Sequence, residues 1–260
     1  GPPLLDLSKK RLFLFDLDGV FLKGKERPIL IGGRRLLRKL REKRKRVFLL
    51  TNNSTDTVDV VHARLRTVGL LFRKGEILTS TRLTAEYVAK NYPEGRYYLV
   101  GEAGLGQELR RLRLKRAFGT RADVVVVGLD RKLTYHKLDT AVKVAKSGAD
   151  IVATHAARLY MYKYGPAIAV GPILKAIEYG SGKKGVSIGK PSSVMFQLAL
   201  DRSRCKKNEA IMIGDQEDTD IIGASRAGID SILVLTGFEN PKKSRALAKI
   251  GNVDDQVEFL

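Results

Sequence analysis

Short runs of apolar residues alternate along this chain with longer stretches in which apolar residues recur every three or four positions. The runs predict buried strands and the periodic stretches predict amphipathic helices, because a strand between two helix layers is apolar on both faces whereas a helix buries one stripe. Strands are predicted at 12–15, 47–50, 210–213 and 231–235. This alternation favours an α/β fold with a mostly parallel sheet.

Helices are predicted between these strands. One runs over 34–45, a second from Val58 to a stop at Gly69, and a third from the residues after Asp215 to Ala227. The final stretch, 242–260, is predicted to form a helix and an irregular tail.

The middle of the chain contains enough material for a second α/β unit. Strands are predicted there at 97–100, 124–127, 151–153 and 167–170, with helical stretches between them that include 135–147. We therefore expect a core formed by residues 1–78 and 182–260 and an inserted domain formed by residues 79–181.

The charge is unusual, since the formal net charge is +20. It is concentrated in two basic runs, 34–46 and 110–116, which could bind nucleic acid or an anionic surface. The leucines of the first run recur at helical spacing, and no aromatic residue interleaves with it, so a solvated helix face is the favoured interpretation. We expect no nucleic-acid partner, although the charge can attract anionic substrates.

Composition excludes several other classes. Three histidines and a single cysteine do not support a zinc site, and Cys205 has no partner for an internal disulfide. No apolar run is long enough to cross a bilayer. A reducing cytoplasm and no membrane partner are the expectations that follow.

Four polar clusters follow predicted strands or precede predicted helices, and they are Asp16 to Val20, Thr51 to Ser54, Gly189 to Pro191, and Gly214 to Asp220. Ligands of open parallel sheets bind at the carboxyl ends of the strands, where three of these clusters are expected. Lys190 instead precedes a helix predicted to begin near Ser192.

The residue types in these clusters suit phosphoryl transfer. One carboxylate of the pair Asp16 and Asp18 can attack phosphorus, and the other can protonate the leaving oxygen. Asp16 and Asp215 suit Mg²⁺, which prefers hard oxygen ligands, and Asp220 could orient a metal-bound water. The amides after Thr51 can hold phosphate oxygens at a helix start.

Simpler interpretations exist for each cluster. Asn53 and Ser54 are natural helix N-caps, Lys190 taken alone would be a solvated lysine, and Asp220 could be an acid in the first turn of a helix. His155 could contact substrate, but a lone histidine more often has a structural role. Four clusters in one order are what favours the catalytic interpretation.

The whole set resembles the haloacid dehalogenase (HAD) superfamily, and more narrowly its NagD, 4-nitrophenylphosphatase and phosphoglycolate phosphatase branch. The resemblance extends from about Leu12 to Gly237 and rests on five motifs, which are Phe15-Asp16-Leu17-Asp18-Gly19-Val20, Leu50-Thr51-Asn52-Asn53-Ser54, the run 127–135, Ile188-Gly189-Lys190-Pro191, and Ile213-Gly214-Asp215-Gln216 continuing to Ile221. It implies a Rossmann-like parallel-sheet core with an inserted α/β cap of the C2 type.

The resemblance also implies roles for the motif residues. Asp16 would be the nucleophile and a metal ligand, and Asp18 the general acid/base, which also offers its backbone carbonyl to Mg²⁺. Asp215 would complete the metal ligands, and Asp220 would be the second acidic residue of the fourth motif. The phosphate-binding residues would be Thr51, Asn52, Asn53 and Lys190.

One cap segment departs from the family pattern. The family usually follows the cap strand with Thr-Asn-x-Asp, where this chain has Thr154-His155-Ala156-Ala157-Arg158, and the family's Pro-Gly-Ala-Gly appears as Ile168-Ala169-Val170-Gly171. The core chemistry is intact, so we predict a Mg²⁺-dependent phosphomonoester hydrolase acting on a small phosphorylated metabolite through an aspartyl-phosphate intermediate. A catalytically weakened HAD-fold protein that binds anions or nucleic acid is the alternative, and the resemblance also allows a homodimer that forms through the cap.

Overall fold

The computed structural model describes residues 5–24, 27–53, 55–162, 164–237 and 239–260, without the side chain of Met161. The strands, in chain order, are β1 (Leu12–Phe15), β2 (Leu22–Lys23), β3 (Ile29–Leu30), β4 (Arg46–Thr51), β5 (Ile77–Thr79), β6 (Arg96–Val100), β7 (Lys115–Ala117), β8 (Val124–Val127), β9 (Asp150–Ala153), β10 (Leu159–Tyr162), β11 (Gly165–Ile168), β12 (Val186–Ser187), β13 (Ala210–Gly214), β14 (Asp230–Val234) and β15 (Ala248–Ile250). The α-helices are α1 (Arg34–Glu42), α2 (Val58–Thr67), α3 (Ser80–Asn91), α4 (Ala103–Arg111), α5 (Tyr135–Lys146), α6 (Val170–Ser181), α7 (Ser193–Ser203) and α8 (Ile222–Arg226). Short 3₁₀ turns lie at Lys74–Glu76, Lys207–Glu209 and Val253–Phe259, and a π turn at Glu217–Ile221 leads into α8.

The chain forms two compact units. The first contains residues 1–51, 58–78 and 190–260, and the second contains residues 52–57 and 79–189. The predicted inserted domain ended at 181, whereas the second unit continues to Gly189, because β12 pairs in parallel with β9 and so belongs to that sheet.

The first unit is built on a six-stranded sheet in the order β15-β14-β13-β1-β4-β5. In its centre β1 lies between β13 and β4 and is parallel to both. All four residues of β1 are buried, as expected of a central strand covered on both faces. The mostly parallel α/β core predicted from the sequence is therefore confirmed.

Helix α1 shows how the first basic run is used. Its leucines, Leu36, Leu37 and Leu40, are buried in the core of this unit, while Arg35 and Arg38 are exposed. This is the amphipathic stripe that the sequence predicts. The helix ends at Glu42 rather than at Lys45, because Arg44 adopts a left-handed conformation with φ of 57°.

The second unit has its own five-stranded sheet, in the order β12-β9-β8-β6-β7, with parallel pairing throughout. Strand β8 is a run of four buried valines at the centre of a separate apolar core. An antiparallel hairpin, β10–β11, completes the unit.

Two predicted elements were wrong. The strand expected at 167–170 ends at Ile168, and α6 starts at Val170, because Val170, Ile173 and Ile177 are buried at helical spacing. The tail expected to be helical contributes β15 instead, which pairs in parallel with β14 at the edge of the first sheet, followed by the last 3₁₀ turn. No helix in the described part of the chain is long and apolar enough to cross a membrane.

Candidate functional site

Three neighbouring strands of the first sheet bring the predicted acidic and hydroxyl residues to one edge. Asp16 directly follows β1, Thr51 is the last residue of β4, and Asp215 directly follows β13. Because β13, β1 and β4 are adjacent and parallel, their carboxyl ends lie side by side. Residues far apart in the chain thereby meet where parallel sheets bind ligands.

Lys190 supplies a buried positive charge at this edge. Its ammonium donates to the Asp16 carboxylate at 3.0 Å, to the Asp220 carboxylate at 2.7 Å and to the backbone carbonyl of Leu50 at 2.7 Å. The side chain is 3 % exposed. Burial by itself would lower the pKa of Lys190, but the charges of Asp16 and Asp220 outweigh burial and raise it, so the lysine stays protonated.

The position of Lys190 follows from the start of α7. Ser192 caps that helix by accepting a hydrogen bond from the backbone N–H of Val194 at 3.2 Å. Lys190 therefore lies just before the helix, as the sequence predicts. The simpler interpretation of Lys190 as a solvated lysine is wrong, because its ammonium is buried and donates to three acceptors inside the first unit.

Two further aspartates share this site with elevated pKa values. Burial, followed by the charges of Asp16 and Asp220, raises the pKa of Asp215 to about 8. Burial, followed by the charge of Asp16, raises the pKa of Asp220 to about 7. Each of these three aspartates can offer a carboxylate oxygen such that the three oxygens lie within 4.8 Å of one another. One lysine faces three acids, so the cluster favours an additional cation.

One carboxylate oxygen of Asp215 also lacks a compensating partner. Its Oδ1 atom is buried and has no hydrogen-bond partner in the structure. Asp220 is better satisfied, because its Oδ2 accepts the backbone N–H of Gln216 at 3.2 Å while its Oδ1 faces Lys190. A buried carboxylate oxygen without a partner is costly unless a cation or a proton occupies its lone pair.

Two glycines, Gly19 and Gly237, leave the space that Asp215 occupies, and Gly237 belongs to none of the four polar clusters found in the sequence. A Cβ atom added to Gly19, which has φ of 82°, would overlap with the Asp215 carboxylate, and so would one added to Gly237. The adjacent Thr236 donates from its hydroxyl to the Gly19 carbonyl at 2.6 Å. The signal was present in the sequence, because Thr236-Gly237 follows the predicted strand 231–235 just as the other clusters follow theirs.

The remaining predicted residues take different positions. Asp18 is exposed and forms an isolated bridge with Leu22, and Thr51 is buried in the first unit. Asn52 and Asn53 are partly buried and belong to the second unit. Ser54 lies outside the described residues.

Asn53 organises the turn that precedes α2. Its Oδ1 accepts the backbone N–H groups of Thr55 at 2.9 Å and Asp56 at 3.1 Å, and its Nδ2 donates to the Asp56 carboxylate at 2.8 Å. This is an Asx-type turn, in which a side-chain oxygen replaces a backbone acceptor. It ties the side chain of Asn53 to Thr55 and Asp56, just before α2.

In the segment that departs from the family pattern, Thr154 and His155 are buried, whereas Ala156 and Arg158 are exposed. His155 is 6 % exposed, and its Nδ1 accepts the backbone N–H of Ala157 at 3.2 Å. Burial lowers the pKa of His155 to about 4, so the ring is neutral near pH 7. Since Nδ1 is an acceptor, the ring proton lies on Nε2. This hydrogen bond gives His155 a structural role in its own turn.

Comparisons with known proteins agree with this arrangement. A model of the haloacid dehalogenase-like hydrolases matches residues 13–115, and a second HAD-hydrolase-like model matches residues 187–257. An acid sugar phosphatase of Staphylococcus epidermidis is 33 % identical over 225 residues, which is 86 % of this chain and 86 % of that protein. An acid sugar phosphatase of Staphylococcus aureus is 30 % identical over 231 residues, or 89 % of this chain and 88 % of that one.

Solved structures give the same result. The p-nitrophenyl phosphatase of Archaeoglobus fulgidus matches with a TM-score of 0.89 and 30 % identity, over 96 % of this chain and 99 % of that chain. The 4-nitrophenylphosphatase of Thermotoga maritima matches with a TM-score of 0.87 and 30 % identity, over 97 % of this chain and 98 % of that chain. Both the core and the inserted unit therefore have counterparts of known structure.

Proposed function

This chain belongs to the haloacid dehalogenase-like hydrolases and is a phosphatase of that family, and we propose that it hydrolyses small phosphorylated metabolites with Asp16 as the nucleophile and Mg²⁺ as the cofactor. The observation that carries the proposal is the contact of the buried Lys190 ammonium with Asp16 and Asp220. A fixed cation beside one carboxylate, at the edge of a parallel sheet, suits attack on an anionic phosphate.

The residues present fit a magnesium ion. Asp16 and Asp215 offer hard oxygen donors near each other, and the unpartnered Oδ1 of Asp215 is an available lone pair. Asp220 instead faces Lys190 and Gln216, which supports a role in orienting its neighbours. Magnesium, when bound, supplies positive charge that offsets the repulsion between the nucleophile and the phosphate.

The first step of the proposed reaction uses Asp16 and Asp18. A carboxylate oxygen of Asp16 attacks phosphorus, and the bond between phosphorus and the leaving oxygen breaks. The protonated carboxyl of Asp18 gives its proton to that oxygen, so an alcohol leaves and a phosphoryl group remains on Asp16. Asp18 is exposed, so its carboxyl can exchange protons with solvent. Lys190 orients the Asp16 carboxylate by donating a hydrogen bond to it at 3.0 Å.

The second step releases phosphate. Asp18, now a carboxylate, removes a proton from a water molecule, and that water attacks the phosphorus of the aspartyl phosphate. The bond between phosphorus and Asp16 breaks, which regenerates the Asp16 carboxylate, and the proton taken from water leaves Asp18 protonated for the next cycle. Both protonation states of Asp18 are used once in each cycle, so the reaction balances without another acid or base.

Phosphorylated sugars are the substrate class that we propose within the small phosphorylated metabolites. The support is the name of the relatives, since the matching staphylococcal proteins are acid sugar phosphatases. The altered segment 154–158 lies in the second unit, so the preference among sugar phosphates is expected to differ from that of relatives with the usual Thr-Asn-x-Asp.

The test has two parts. Phosphate release from 4-nitrophenyl phosphate and from a panel of sugar phosphates is measured with Mg²⁺ and with chelator, for wild type, D16A and the control D218A. Asp218 is an exposed acid close in sequence to Asp215 and Asp220, so its loss should leave activity intact. Wild type quenched in acid during turnover should carry one phosphoryl group on the peptide that contains Asp16. Wild-type activity in D16A, or a phosphoryl group on another residue, would refute the nucleophile assignment.

A further inference from the structure

The second basic run ends beside an exposed aromatic side chain, which distinguishes it from the first. Phe118 follows β7 and is 79 % exposed. The guanidinium of Arg116 lies over its ring, 4.8 Å from the centroid. An apolar ring of this size in water has no role in the core of the unit, and the phosphatase reaction proposed above does not use it.

Three arginines surround a depression next to this ring. Arg96, Arg116 and Arg121 line it together with Phe118, and its volume is about 330 Å³. All three arginines are exposed. Pairing in the sheet explains their proximity, because Arg96 is opposite Lys115 across β6 and β7, and Arg121 lies in the loop that leaves β7.

These arginines are not neutralised. Over the described ranges of the chain, no carboxylate lies within 4 Å of the guanidinium groups of Arg96, Arg116 or Arg121. The nearby Asp123 accepts the backbone N–H of Arg96 at 2.8 Å instead. By contrast, Arg41 and Arg35 of the first run are paired with Glu76 and Glu258. The depression is therefore distinguished by having unpaired arginines next to the exposed ring of Phe118.

We propose that this surface, formed by Arg96, Arg116, Phe118 and Arg121, binds single-stranded nucleic acid. The arginines suit phosphodiester groups, and the exposed ring suits an unpaired base, since base–aromatic stacking does not depend on the identity of the base. The open shape suits a strand that lies across the surface. The expectation from the first basic run, that nucleic acid is not a partner, rested on the lack of interleaved aromatic residues, and Phe118 supplies one here.

A competing explanation exists for the charges. Strand β7 is at the edge of its sheet, and basic side chains on an edge strand hinder pairing with other molecules. That explanation accounts for the charges of Lys115 and Arg116 on β7, but it does not account for the exposed Phe118 that follows them. It also predicts aggregation, rather than loss of binding, when the charges are removed.

Binding is measured by fluorescence anisotropy with labelled single-stranded RNA and DNA of about 12 nucleotides, a length within the range that such sites cover. The oligonucleotides carry no terminal phosphate, so the phosphatase cannot act on them. We expect log affinity to fall linearly with log salt with a slope of about −2, because three arginines would neutralise about three phosphates of a single strand.

Two variant pairs locate the site. F118A should weaken binding about fivefold or more, whereas F118Y should bind as tightly as wild type. Y179A, which removes another exposed ring of the second unit, should leave the affinity unchanged. R116A/R121A should make the slope shallower by about 1.4, whereas R38A/R66A removes equal charge from exposed positions of the first unit and should leave affinity unchanged.

Inorganic polyphosphate separates stacking from charge. It should bind more weakly than the oligonucleotides and should be insensitive to F118A, because it has no base. Hydrolysis of 4-nitrophenyl phosphate serves as the folding control for every variant. The proposal is overturned if the oligonucleotides do not bind at low salt, if F118A and R116A/R121A bind as well as wild type, or if R38A/R66A weakens binding equally. Aggregation of R116A/R121A with unchanged oligonucleotide affinity would favour edge protection instead.

Discussion

Replacing Lys190 by methionine should separate its electrostatic role from its packing, since methionine is apolar and of similar length. Lys190 makes two ion pairs, at 3.0 Å with Asp16 and at 2.7 Å with Asp220. At an effective dielectric constant near 20, each pair has a gross Coulomb energy of about 6 kcal/mol. The cost of removing these charges from water offsets most of it, and breaking a buried pair on one side typically costs about 3–5 kcal/mol. We expect K190M to lose about that much stability without Mg²⁺ at pH 8.

The loss should depend on pH. Asp215 and Asp220 have raised pKa values of about 8 and about 7, so at pH 5 both are protonated in the folded protein. Fewer uncompensated charges then remain after the substitution, and the destabilisation should shrink at pH 5. The turnover number at saturating Mg²⁺ should fall by about 10²–10³, the usual effect of removing one fixed group that stabilises developing charge.

Two measurements check this prediction. Urea unfolding at pH 5 and pH 8 gives the free energy of unfolding, and steady-state hydrolysis of 4-nitrophenyl phosphate gives kcat. R41M is the matched control. Arg41 also donates to a partly buried carboxylate, that of Glu76 at 2.7 Å, but it belongs to α1 and contacts none of the three aspartates of the site. R41M should lose stability and keep kcat. A K190M protein that keeps wild-type kcat, or one whose destabilisation is equal at the two pH values, would refute the reasoning.

The remaining predictions concern the general acid, the packing around Asp215 and a buried histidine. D18N should lower kcat by about 10²–10⁴-fold while phosphate inhibition stays near wild type, and a variant that loses only affinity would count against Asp18 as the acid/base. G19A should abolish activation by Mg²⁺, because the added methyl group would overlap with the Asp215 carboxylate. In the control G182A, the residue has a similar positive φ but open space around it, so the substitution should cause only backbone strain and activation should remain. Titrations of activity with Mg²⁺ would show the difference. The folded-state pKa of His155, about 4, lies below its ordinary value of 6.5, so stability should decrease by up to about 3 kcal/mol as pH falls from 6.5 to 4. H155Q should remove that part of the pH dependence, and identical unfolding curves against pH for wild type and H155Q would contradict it.

Local patterns in the sequence determined most of the secondary structure of the centre of both sheets. Strand β8 was predicted with its observed bounds, and α5 to within one residue, because four consecutive valines and a periodic stretch after Thr134 leave little choice. The clusters after β1, β4 and β13 were found for a similar reason. A polar residue directly after a buried apolar run marks the point where a strand leaves the core, and in a parallel sheet all such points share an edge.

Only the tertiary structure decided how these residues interact. Nothing in the run 188–191 indicates that Lys190 is buried against Asp16 and Asp220, since that contact joins positions 174 and 30 residues apart. The raised pKa values of Asp215 and Asp220, the space left by Gly237 and the unpaired arginines beside Phe118 likewise depend on neighbours that are distant in the chain. Strand β15 shows the same limit for the fold, because it is a strand through its pairing with β14. Periodicity reports which face of an element is buried, whereas electrostatics and edge pairing depend on what that face meets.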